Sequence, residues 1–88
     1  MLEIRPTCEN CNNVLPYDSN DAMICTFECT YCKNCVETIL KHVCPNCGGG
    51  FEKRPIRPKS LLEKHPVSAT IVHQPVDLKK HQERLNKN

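Results

Sequence analysis

Tryptophan is absent from this 88-residue chain, aromatic residues make up only 5% of it, and apolar residues as a whole reach 39%. A large apolar core is therefore excluded, and the seven prolines further reduce the share that regular elements can claim. No run approaches the roughly 18 apolar residues of a membrane span, and Met1 to Pro6 lacks the apolar stretch of a secretory signal. The expectation is a soluble, cytoplasmic chain holding one small domain, with no membrane partner and no small-molecule substrate.

What the chain has instead is cysteine, eight in all. In a reducing compartment a cysteine-dense short chain points to metal rather than to disulfides. The spacing agrees. Cys8-x2-Cys11, Cys32-x2-Cys35 and Cys44-x2-Cys47 are two-residue knuckles, Cys25-x3-Cys29 is a fourth close pair, and Cys29-x2-Cys32 links the middle group. Close pairs suit two thiolates reaching one tetrahedral ion, whereas a disulfide scaffold would scatter its cysteines to close long loops. Two zinc ions are the expected cofactors.

Charge is divided along the chain. Residues 1–50 carry a net −3 and residues 51–88 a net +5. Eight thiolates holding two divalent ions would take the first segment to about −7, so the cysteine module should repel phosphate backbones. We expect residues 1–51 to form the two-zinc module. Residues 52–88 then make a basic, proline-interrupted tail, mobile or wrapped on the module, with a short helix over about 76–86.

Within the module, turn-rich residues 16–21 followed by Ala22-Met23-Ile24-Cys25-Thr26-Phe27 read as a loose turn and a short hairpin strand. Val36, Ile39, Leu40 and Val43 sit at i, i+3, i+4 and i+7, one face of a helix over about 34–43. Asn34 is the expected N-cap, with Glu37 three residues on completing a capping box. Gly48 follows the last knuckle, where a positive φ would let backbone amides point back at sulfur. Asn12 holds the equivalent place after the first.

That helix constrains the pairing. Cys35 stands at its start and Cys44 just after its end, about 12 Å apart at ~1.5 Å per residue. Sulfurs bound to one ion lie within about 4 Å of each other, since each Zn–S bond is ~2.3 Å. Cys32/Cys35 and Cys44/Cys47 must then serve different ions. The alternating solution puts Cys8, Cys11, Cys32 and Cys35 on the first zinc and Cys25, Cys29, Cys44 and Cys47 on the second. One other arrangement stays open, joining Cys8/Cys11 to Cys44/Cys47 and Cys25/Cys29 to Cys32/Cys35. So small a module cannot offset its ordering entropy by apolar burial alone. Each structural zinc site can add about 10 kcal/mol or more of coupled folding free energy.

The run Cys8-x2-Cys11-x13-Cys25-x3-Cys29-x2-Cys32-x2-Cys35-x8-Cys44-Pro45-x-Cys47 is similar to the RING-finger ligand pattern, with Cys29 where that family usually has His. The resemblance implies a cross-braced treble clef: a small zinc-stabilised α+β fold with a short hairpin, one short helix and an extended C-terminal tail. More closely, residues 24–32, Val43-Cys44-Pro45-Asn46-Cys47-Gly48-Gly49 and Arg54-Pro55-Ile56-Arg57-Pro58 resemble the small bacterial family catalogued as domain of unknown function 1272.

Function has to be read from the sites rather than from the fold. Four thiolates per ion leave no open coordination position, and no Ser/His/Asp or Cys/His set can be assembled without taking a zinc ligand. We therefore expect a non-catalytic protein-interaction module, with Pro45, Arg54 and Arg57 as candidate partner contacts. Three alternatives remain. A ubiquitin-ligase-like module would grip a conjugating enzyme, yet of the usual contact positions only Pro45 corresponds, since Glu9 and Asn10 lie between the first two cysteines. Nucleic-acid binding would rest on the basic tail, which has no aromatic residues for stacking. A thiolate redox sensor or an iron–sulfur protein would use the same cysteines. The four histidines, at 42, 65, 73 and 81, read as surface residues.

Overall fold

The computed structural model describes residues 2–87 of the chain. Met1 and Asn88, the outer ends of the two expected segments, lie outside the described residues. Strands β1 (Ala22–Ile24), β2 (Thr30–Cys32) and β3 (Glu52–Lys53) form an antiparallel sheet in the order β2-β1-β3. Helix α1 opens as one α-helical turn over Lys33–Cys35 and widens into a π-helix over Val36–Leu40. Two further helices, α2 (Lys59–Leu62) and α3 (Leu78–Lys87), lie in the tail. The fold is small α+β, as expected.

Register in the hairpin pairs Ala22 with Cys32 and Ile24 with Thr30, and Cys25 N–H closes it on Cys29 carbonyl at 3.2 Å. This places Cys25 and Cys29 together at the hairpin tip. It also sends the chain from Cys32 straight into α1, with Lys33 N–H bonded to Asp21 carbonyl at 2.7 Å. Val36 and Leu40, both fully buried, turn the inner face of α1 onto Leu15, Ala22 and Tyr31. Tyr31 meets Phe51 edge to face, with ring centroids 5.6 Å apart.

Three details of α1 differ from the sequence reading. Helical geometry starts at Lys33, so the N-cap is Cys32, with no side-chain cap bond, and the Asn34/Glu37 capping box does not form. Asn34 lies inside the helix, where its carbonyl accepts the Thr38 hydroxyl at 2.7 Å. The helix ends at Leu40 rather than Val43, because Lys41 and His42 both take positive φ, 54° and 64°. Lys41 N–H bonds to Val36 carbonyl, and His42 N–H closes back on the same carbonyl at 2.9 Å, so the last turn folds onto one acceptor. Val43 falls in the turn that follows.

The tail runs along the module and bonds to it at intervals. Strand β3 is its first piece, pairing Met23 with Lys53 and Ile24 with Glu52. Arg54, expected to face a partner, is 1% exposed and donates to the carbonyls of Arg5 (2.8 Å), Leu15 (3.3 Å) and Pro16 (2.9 Å). Arg57 bonds to the carbonyls of Leu2 and His65. These two cations hold the N-terminal segment against the tail, and the partner-contact reading is corrected for Arg54, which is buried, while Arg57 stays half-exposed. His81, expected at the surface, is 3% exposed, with Nε2 2.7 Å from Leu40 carbonyl at the C-terminal end of α1. His65 and His73 are exposed, as is His42.

Candidate metal centres

The sulfurs gather into two groups. Those of Cys8, Cys11, Cys32 and Cys35 all lie within 4.8 Å of one another, as do those of Cys25, Cys44 and Cys47. In the first group Cys8 and Cys35 are 3.8 Å apart and Cys11 and Cys32 3.7 Å. A tetrahedron with bonds of ~2.3 Å has edges of about 3.8 Å, so these separations fit a single tetrahedral ion. The groups interleave along the chain, because α1 and its turn carry Cys44 away from Cys35. Cys29 does not join the second group within that distance; its sulfur accepts the side-chain amide of Asn46 at 3.3 Å, beside the knuckle that holds Cys44 and Cys47.

Two knuckles share one backbone design. Asn12 N–H bonds to Cys8 carbonyl and Gly48 N–H to Cys44 carbonyl, both at 2.9 Å. Asn12 and Gly48 both take positive φ, 62° and 76°. That turn frees amides to aim at sulfur: Asn46 N–H reaches Cys44 and Gly49 N–H reaches Cys47, both at 3.4 Å. At the hairpin tip Phe27 N–H reaches Cys25 at 3.3 Å. Such donors stabilise thiolate over thiol, which is what a cation held by four sulfurs requires.

The three knuckles read Cys-Glu-Asn-Cys, Cys-Lys-Asn-Cys and Cys-Pro-Asn-Cys. Asn10 and Asn46, the third residues of the first and last, each donate a side-chain amide at 3.3 Å across to the sulfur of another segment, Asn10 to Cys35 and Asn46 to Cys29. The sequence reading missed both. The repeated asparagine is the available signal; Asn34, its counterpart in the middle knuckle, makes no such bond among the described residues.

Burial governs the thiols. It raises Cys44 to about 12, and it also raises Cys25, Cys32 and Cys35. Cys47 goes the other way, to about 6: burial, the largest single influence, opposes the shift, but the Thr26 hydroxyl, Gly49 N–H and the neighbouring thiols together outweigh it. A metal must therefore displace protons from the buried members, and acid favours the protons. With the sign taken from these shifts, metal affinity falls with every step down in pH. The second site should lose metal most steeply as pH drops through about 6, where Cys47 itself takes up a proton. A metal-sensitive dye monitored from pH 8 to pH 4 checks this, and pH-independent retention would contradict it.

Gly49 is packed where a side chain has no room, since a Cβ there would stand 2.5 Å from Thr26 Cγ2 and 3.1 Å from its hydroxyl. The Thr26 hydroxyl is the donor to Cys47 at 3.2 Å. Gly49→Ala should push Thr26 off that sulfur and weaken metal retention at the second site by about 10-fold or more, leaving the first site unchanged. Chelator competition on the variant measures the difference.

The model of the family described as "Protein of unknown function (DUF1272)" matches residues 1–57. The chain belongs to that family. The DUF1272 match takes in all eight cysteines and both internal arginines, Arg54 and Arg57. An uncharacterized protein of Rhizobium meliloti (strain 1021) is 57% identical over 75 residues, covering 85% of this chain and 89% of the relative. No solved structure matches. No described helix is long and apolar enough to cross a membrane.

Proposed function

We propose that this DUF1272 protein is a structural zinc protein, cross-braced in the manner of a RING-type treble clef, that serves as a non-catalytic protein-interaction module in the cytoplasm. The interleaving of the two sulfur groups, with tetrahedral edge lengths in the first, carries the reading. In the second site Cys29 completes the quartet: it closes the hairpin that carries Cys25, and Asn46 holds its sulfur toward the knuckle. Four thiolates then close each coordination shell, so each ion braces chain segments and leaves no position for a substrate or an activated water.

Two details weigh against the ligase and nucleic-acid alternatives. Glu9, between the first two cysteines, is 3% exposed, with its carboxylate on Arg5 Nη1 at 2.7 Å and on Thr30 N–H at 2.5 Å. It offers a conjugating enzyme nothing to grip. The basic tail, in turn, spends Arg54 and Arg57 on internal carbonyls, which leaves fewer cations for phosphates.

Metal analysis of the purified chain should give two zinc and no iron per molecule. Cobalt substitution should show the intense ligand-to-metal bands of tetrahedral thiolate sites. One ion per chain, or iron, would overturn the structural-zinc reading. For the interaction role, cross-linking in native lysate should recover a stoichiometric protein partner; repeated recovery of the chain alone would count against it.

A further inference from the structure

The tail meets the first knuckle at Asn10 and its neighbour Glu9. Asn10, inside the first knuckle, donates its side-chain amide to Cys35 sulfur at 3.3 Å, and its Oδ1 accepts Val76 N–H at 2.9 Å. Its backbone carbonyl lies 3.2 Å from His73 Nε2, and the carbonyl of neighbouring Glu9 accepts Gln74 N–H at 2.8 Å. One amide group thus joins a metal-ligand sulfur to the chain immediately before α3.

Beyond that junction the chain leads directly into α3. Val76 packs against the core, and Asp77 Oδ1 then accepts the N–H groups of Lys79 and Lys80 at 3.1 and 3.2 Å to start α3. His81 reaches Leu40 carbonyl at the end of α1. Arg84 lies over the last knuckle, its Nη1 2.6 Å from where a Cβ on Gly48 would stand. The tail therefore touches the first knuckle through Asn10 and the last through Arg84, with little apolar burial between, since Leu78 is 64% exposed.

We propose that the tail is a metal-gated latch: metal in the first site fixes Cys35 and with it Asn10, which docks Val76 and seats α3 across the end of α1 and the last knuckle. Loss of that metal releases α3 and uncovers the face that His81 and Arg84 occupy. The inference rests on the reading that the first quartet holds a metal ion. A sulfur fixed by a central ion gives the Asn10 amide one lasting acceptor, and a hydrogen bond there polarises the Oδ1 that receives Val76. Linkage makes the coupling mutual, so a docked tail must slow the loss of that metal by the same factor by which the metal favours docking.

Three full-length chains loaded with cadmium-113 test the latch: wild type, Asn10→Asp and Val76→Pro. Each bound site gives its own cadmium resonance, which follows metal loss to a chelator, while amide hydrogen exchange over residues 76–86 follows the tail. Asn10→Asp keeps an acceptor for Val76 but sets a carboxylate against Cys35. Val76→Pro removes the donor and touches no knuckle. Both should speed tail exchange and first-site metal loss by about 10- to 100-fold and leave the second resonance unchanged. A tail released by Val76→Pro with first-site loss at the wild-type rate would overturn the coupling, as would unaltered tail protection in Asn10→Asp. A wild-type chain with no first-site resonance would instead overturn the metal reading beneath it.

Discussion

Stripping the metal is expected to unfold the module. Its interior holds five buried cysteines beside six other buried apolar side chains, Ile4, Leu15, Ala22, Tyr31, Val36 and Leu40. Strands of three, three and two residues cannot stand as a sheet without support, and α1, only eight residues long and one turn of it widened, is too short to persist alone. The thiols at the centre would then have to sit protonated in van der Waals contact, with nothing joining residue 8 to residue 35 or residue 25 to residue 44. Structural zinc sites of this kind contribute about 10 kcal/mol or more of coupled folding free energy, on the order of a small domain's whole stability. A strong chelator at neutral pH should therefore abolish amide dispersion and most ordered circular dichroism, and stoichiometric zinc should restore both under reducing conditions. Cys8→Ser should reproduce part of the loss in the presence of zinc, confined to the segments that the first site joins, since Cys8 is fully buried and a serine there removes one ligand of four. A chain that stays folded with less than a tenth of an equivalent of metal would sink the structural role.

Much of this arrangement can be read along the chain, because close cysteine pairs and a helical stripe are local signals. The stripe through Val36, Ile39 and Leu40 locates α1, and the rigid segment separates Cys35 from Cys44 whatever its last residue. Val43 misled because an i+7 apolar residue says nothing about the turn before it. The helix ends on Lys41 and His42 in the left-handed region, where no glycine marks the stop. Long-range polar contacts leave even less trace. Arg54 meets carbonyls 38 to 49 residues away and His81 one 41 residues away, and neither lies in any pattern of period two or 3.6. Read locally, each is an ordinary charged or polar residue in a basic tail. Asn10 and Asn46 were different: their shared place in the knuckles was visible, and it pointed to sulfur.

Arg54 carries the second large expected effect. Its guanidinium is buried without a carboxylate partner, and burial lowers its pKa, so its charge is held by the three carbonyl dipoles of Arg5, Leu15 and Pro16. Its own N–H bonds to Ala22 carbonyl at 2.8 Å and continues the β1–β3 pairing past Lys53. The side chain thereby pins the strand edge to two turns that precede the hairpin, and those turns carry Cys8 and Cys11 into the first quartet. Two divalent ions held by eight thiolates, as proposed, would leave the module strongly negative and favour a cation here. Arg54→Met keeps most of the volume but takes the guanidinium from the Arg5 and Leu15 carbonyls, while Pro16 carbonyl keeps the Ser19 N–H, and it removes the side chain that reaches all three. The cost should be about 3–5 kcal/mol, on the order of 15 °C or more in the thermal midpoint of the two-metal chain. Arg54→Lys should recover part of the loss at most, because one ammonium on a flexible stem cannot span three carbonyls that a planar fork reaches together. Thermal denaturation of the three metal-loaded chains, with zinc content measured beforehand, decides it. A midpoint for Arg54→Met within about 3 °C of wild type would mean that the metal ion and the Leu15 N–H to Pro6 carbonyl bond hold these segments without it, and that the buried guanidinium adds nothing to the brace.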